Sequence, residues 1–173
     1  AATLKRVRAI GYQAVQLSGL GKIDDAELIA ILKDTDLICC ARHDDSNEIL
    51  NDPAAVAARL ERFGCTWTAY PYPSGWTFDS KDAVLALAEK LDHAGSVLAD
   101  SGKVLTYHNH SCEFTRIDGK TILEWIYQHT DPRHVQAELD TYWVQHGGGD
   151  PVAWCRRMAG RLPLLHLKDY TIT

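Results

Sequence analysis

Residues 37–70 read LICCARHDDSNEILNDPAAVAARLERFGCTWTAY. Leu37 to Arg42 is a near-continuous apolar run, the pattern of a strand covered on both faces. Asp52-Pro53 opens a helix, because proline at the first helical position gives up no hydrogen bond. Val56, Leu60 and Phe63 recur at helical spacing until Gly64, and Cys65 to Tyr70 is the next strand-like run. Strand, helix and strand in such close succession form a βαβ unit, and such units build parallel sheets.

The alternation continues outward. Upstream, Thr3 to Tyr12 carries Leu4, Val7, Ala9 and Ile10 at helical spacing before Gly11, and Ala14 to Leu17 reads as a short strand. Asp24 and Asp25 then cap and charge a helix holding Leu28, Ile29, Ile31 and Leu32. Downstream, a loop rich in proline, glycine and aromatics (71–78) precedes a long helix from Ser80 to Ser101, ended by Gly102. Val104 to Tyr107 is a strand. Asp118-Gly119 is a turn signal that predicts a small hairpin over Ser111 to Lys120. A helix from Thr121 to His129, a strand from Val135 to Leu139, a helix opened by Asp150-Pro151 and a strand from Leu164 to Leu167 complete the series. Six strands and six helices, beginning on a helix and ending on a strand, predict an α/β chain of the (β/α)8 TIM-barrel type. On this reading residues 1–173 form one partial barrel domain, without its first strand and its eighth βα unit. An open six-stranded parallel sheet fits the same pattern.

The bulk numbers bound the function. With 173 residues, 46% of them hydrophobic, the chain can build one real core, yet it falls short of the ~250 residues of a complete barrel. A net charge of -5 without a basic run predicts no nucleic-acid partner. No stretch approaches the ~18 apolar residues of a membrane span, and the N-terminal AATLKRVRAIGY lacks the apolar core of a signal peptide. Five cysteines, an odd count without a CxxC pair, read as reduced core thiols of a cytoplasmic protein.

In parallel α/β folds functional groups gather at the carboxyl ends of the strands. Here those ends are polar: Arg42-His43-Asp44, then His108-Asn109-His110 with Glu113 close behind, then Glu138-Leu139-Asp140, then His166-Leu167-Lys168-Asp169. Imidazole nitrogen with carboxylate oxygen suits Mn²⁺, Zn²⁺, Co²⁺ or Fe²⁺, and Mg²⁺ where oxygens dominate. On a strand His108 and His110 share one face, as do Glu138 and Asp140. Each also has a plain reading, as core histidine, helix-capping aspartate or solvated carboxylate. Gly147-Gly148-Gly149 has no phosphate-loop pattern and reads as a turn before Asp150.

The strings YHNHSCEF, ELDTYWVQHGGGDP and GRLPLLHLKD, with GYQAVQL near the start, resemble the sugar phosphate isomerase/epimerase superfamily, the xylose isomerase-like barrels. That resemblance implies one divalent metal (Mn²⁺, Mg²⁺, Zn²⁺ or Co²⁺) held by two glutamates, an aspartate and a histidine. It places the aspartate at Asp140, the histidine at His166 and the first glutamate at Glu113. The last glutamate belongs to an eighth strand beyond Thr173. Glu113 and His110 are then the catalytic candidates, and His43, His108, Glu138, Trp143 and Lys168 the substrate-binding ones. Trp76 and Trp143 are apolar walls of the kind that stack on sugar rings. The implied activity is isomerisation or epimerisation of a sugar, sugar phosphate or polyol by proton transfer through a metal-stabilised enediolate. A keto-sugar or polyol dehydratase or lyase of the same superfamily is the alternative, as is a non-catalytic sugar-binding barrel. The expected partner is a small carbohydrate, and a homo-oligomer is a further expectation.

Overall fold

A computed structural model describes residues 1–171. The chain opens with α1 (Ala2–Ile10), β1 (Ala14–Leu17), α2 (Asp25–Asp34) and β2 (Ile38–His43). Two helices follow, α3 (Ser46–Asn51) and α4 (Pro53–Arg62), then β3 (Trp67–Tyr70), α5 (Lys81–Asp100) and β4 (Val104–His108). A single 3-10 turn at Cys112–Phe114 leads into the hairpin of β5 (Arg116–Ile117) and β6 (Lys120–Thr121). The remainder is α6 (Ile122–Gln128), β7 (Val135–Asp140), α7 (Thr141–His146), α8 (Pro151–Arg157) and β8 (Leu164–His166).

Side-chain caps explain most of the helix starts. Asp24, Asp45, Asp52, Ser80, Asp140 and Asp150 each accept N–H groups of the first turn that no helical carbonyl can reach. Thr121 and Glu124 form a reciprocal capping box at α6. Sequence periodicity did not anticipate α3 and α7. Each is only six residues long, too short for an apolar period to show. The expected hairpin is also shorter than 111–120, because the chain first folds into the 3-10 turn around Glu113.

The six long strands form one parallel sheet in the order β1-β2-β3-β4-β7-β8. Laid flat, five inter-strand spacings of ~4.8 Å would hold β1 and β8 ~24 Å apart. Instead the Gln16 side chain on β1 reaches His166 on β8 at 2.5 Å and Glu138 on β7 at 2.7 Å. The sheet is therefore curled into an incomplete barrel, and the open flat sheet is excluded.

The core lies between the outer face of this wall and the helices. Leu87, Leu91 and Leu98 of α5 meet Leu105 and Tyr107 of β4 and Ile122, Leu123 and Ile126 of α6, all with no solvent exposure. Burial of this kind stabilises by about 1.5–3 kcal/mol per large side chain. Close approach demands glycine at two places. A Cβ on Gly95 would lie 2.2 Å from the His134 carbonyl oxygen, and one on Gly147 would lie 2.6 Å from the Phe114 ring. All five cysteines are free thiols, with Cys39 and Cys65 buried. Among the described residues no helix is long and apolar enough to cross a membrane.

Candidate metal and substrate site

Five strands bring polar side chains to one end of the barrel. Glu138 sits at the centre and is fully buried, a costly position for an uncompensated carboxylate. Its Oε1 lies 2.6 Å from His43 Nε2, 3.2 Å from His108 Nδ1 and 3.2 Å from His166 Nε2. Its Oε2 accepts the Gln16 Nε2–H at 2.7 Å. Burial alone would raise the carboxyl pKa, but the hydrogen bonds from His108 and His43 and the nearby imidazoles hold it at about 2. His108 moves down from the ordinary imidazole value, chiefly because burial disfavours its cation.

One ligand atom each from His43, His108, Glu138 and His166 lie within 4.8 Å of one another. Asp140 adjoins this group from the other side. It is fully buried, and its backbone is clasped by the Asn109 amide, which accepts the Asp140 N–H at 3.0 Å. The Asp140 carboxylate splits its two oxygens. Oδ1 accepts the Trp143 N–H at 3.2 Å and caps α7. Oδ2 lies 3.6 Å from His166 Nδ1, 3.8 Å from His108 Nε2 and 2.5 Å from Lys168 Nζ. This buried oxygen is thus ion-paired with the ammonium and has no further hydrogen-bond partner among the described residues. Burial would raise the Asp140 pKa; His166, Lys168 and the Trp143 N–H together hold it well below the usual carboxylate range. Three imidazoles and the two carboxylates of Glu138 and Asp140 form a donor set that fits a divalent transition metal.

Above this cluster opens a cleft of about 620 Å³, lined by Ser18, Tyr72, His110, Trp143 and Lys168 along with His43, His108 and His166. The His110 ring stands 5.3 Å from Tyr72 and 5.2 Å from Trp143, centroid to centroid. Its Nδ1 is buried without a hydrogen-bond partner among the described residues, and burial lowers its pKa. The faces of Tyr72, His110 and Trp143 together give the cleft an apolar wall.

No family model matches the chain. Among curated proteins, the inosose dehydratase of Geobacillus kaustophilus (strain HTA426) is 32% identical over 84 residues. That match covers 49% of this chain and 27% of that enzyme, well under two thirds of the relative's length. Among solved structures, a sugar phosphate isomerase/epimerase from Parabacteroides distasonis ATCC 8503 superposes with a TM-score of 0.87 at 24% identity. The superposition covers 97% of this chain and 68% of that one. The fold is that of the xylose isomerase-like, sugar phosphate isomerase/epimerase barrels. The probable 3-DHS dehydratase involved in petrobactin synthesis from Bacillus anthracis has the fold as well, with a TM-score of 0.71 at 14% identity over 97% of this chain and 67% of that one.

Of the residues singled out from the sequence, the barrel gathers His43, His108, Glu138, Asp140 and His166 into one cluster. It sets His110, Trp143 and Lys168 in the cleft wall. Glu113 lies outside the cluster of potential ligands. Its Oε1 accepts the Tyr107 hydroxyl at 2.9 Å and its Oε2 the His110 N–H at 2.8 Å. Both oxygens are thus engaged in holding the turn that carries His110. Trp76 packs against the core. Sequence reasoning passed over Gln16. A lone glutamine in the short strand AVQL looks like an ordinary solvent-facing position, and its partners lie 122 and 150 residues away.

Proposed function

We propose that this chain carries the metal-dependent proton-transfer site of an enzyme acting on a keto-sugar or cyclic keto-polyol, with loss of water as the net reaction. The observation that carries this reading is the His110 ring, without a hydrogen-bond partner at Nδ1, in the wall of a cleft that His43, His108 and His166 also line, with Asp140 and Glu138 buried behind them. A divalent cation among His108, His166, Asp140, Glu138 and His43, when bound, supplies a Lewis acid that withdraws charge from a substrate carbonyl and acidifies the neighbouring C–H. His110, whose ring lines the cleft, takes that proton. Its lowered pKa keeps the ring neutral and receptive near pH 7. The Lys168 ammonium, beside Asp140, donates a proton to the departing hydroxyl. Tyr72 and Trp143 stack on the apolar face of the ring. Glu113 acts at one remove, through its grip on the His110 backbone.

Similarity to inosose dehydratase supports elimination as the outcome. Isomerisation or epimerisation is the second reading, supported by the likeness to the Parabacteroides distasonis protein, and it shares the first proton abstraction. Proton NMR in D₂O distinguishes them. With Mn²⁺ and a panel of ketoses and cyclic keto-polyols, the full-length protein should form a dehydrated product. Deuterium incorporated alpha to the carbonyl with an inverted centre or a shifted carbonyl instead establishes the second reading. No turnover and no exchange on any member of the panel contradicts both.

A further inference from the structure

Each neutral imidazole carries one N–H and one lone pair, and which nitrogen holds the proton is set by its neighbours. Glu138, as a carboxylate, is acceptor-only, so every group that touches it must present a hydrogen. At Oε2 that group is the Gln16 amide, which therefore turns its NH₂ towards Glu138 at 2.7 Å. Its carbonyl oxygen must then face His166 Nε2, 2.5 Å away. Glu138 Oε1 is also 3.2 Å from the same nitrogen. Surrounded by two acceptors, His166 Nε2 carries the proton and Nδ1 keeps the lone pair. His108 follows the same logic in reverse, since Nδ1 faces Glu138 Oε1 at 3.2 Å and Nε2 is left free. The two free nitrogens, His166 Nδ1 and His108 Nε2, lie 3.6 and 3.8 Å from Asp140 Oδ2, which the Lys168 ammonium also meets.

We propose that Gln16 is a positioning residue: with Glu138 it fixes His166 as the Nε2–H tautomer, so that the lone pairs available to a cation face Asp140. Glu138 then orients the imidazoles from behind, and the cation is held on the Asp140 side of the rings. This rests on the metal-dependent reading above and narrows it. A partner of this kind behind a ligating imidazole commonly changes metal affinity 10–100-fold.

The test uses full-length protein labelled with ¹⁵N-histidine, metal-free and above neutral pH. Long-range ¹H–¹⁵N correlation spectra should show His166 as the Nε2–H tautomer. Gln16→Met, similar in size but unable to donate or accept, should give a mixed tautomer and a 10–100-fold loss in Mn²⁺ affinity by calorimetry. An Nδ1–H tautomer in the wild type overturns the proposal, even if no variant folds. So does a Gln16→Met protein with unchanged tautomer and unchanged affinity. Wild-type protein that binds no divalent cation contradicts the function proposed above, whatever the tautomer.

Discussion

At Asp140 one carboxylate serves two ends: Oδ1 starts helix α7, and Oδ2 is turned to two imidazoles and an ammonium. His110 is the opposite case, a side chain with a free nitrogen and nothing structural to do with it. Replacing it with alanine should lower kcat about 10²–10⁴-fold, the usual worth of a positioned base, and leave Mn²⁺ affinity essentially unchanged. Steady-state kinetics and calorimetry on one preparation check both halves. A second consequence concerns pH. Burial holds His108 and His110 below the ordinary imidazole value of 6.5, which they regain on unfolding. Between the two values the unfolded chain binds more protons, so stability rises with pH there. The contribution is complete above 6.5 and is lost as pH falls through the folded values. Melting curves of metal-free protein from neutral to acidic pH should show a falling Tm, with a shallower slope in His110→Gln; an identical slope contradicts the shift at His110. The histidines and carboxylates of the cluster were legible in the sequence because they stand at strand ends, where a barrel converges. Which nitrogen faces which oxygen was not, since that depends on Gln16, with no local pattern to mark it.

At the scale of elements, the long helix α5 was legible from Ser80 to Gly102, but not the reason for Gly95 within it. Its missing side chain lets the helix touch the His134 carbonyl. Alanine there gains about 1 kcal/mol in helix propensity but forces a contact of 2.2 Å against backbone, far inside van der Waals range, and overpacking of this sort costs about 1–3 kcal/mol. The clash should win. Urea unfolding of Gly95→Ala should show a net loss of stability, and a gain would mean the helix can move off the loop freely. By sequence the glycine run at 147–149 reads as a turn. Gly148, with φ of +83°, is one, but Gly147 and Gly149 are small because the Phe114 ring lies over them. Turn signals mark backbone conformation well; they do not reveal which distant ring needs the space.

For the whole molecule, alternation of apolar runs and capped helices predicts six parallel strands, and six are present in sequential order with the small hairpin set apart. Curvature is a different matter. An open sheet and a barrel wall have the same alternation and the same composition, and contacts between distant strands, such as Gln16 to His166, 150 residues apart, separate them. That contact also makes the site, since it brings the first strand to the donors of the last two. These donors are expected to hold a divalent cation, and anomalous scattering from full-length crystals soaked in Mn²⁺ would locate it. One strong peak in contact with His108, His166 and Asp140 is the predicted result. A map with no peak at this cluster, or with Mn²⁺ bound only elsewhere, would mean that the cluster is not a metal site.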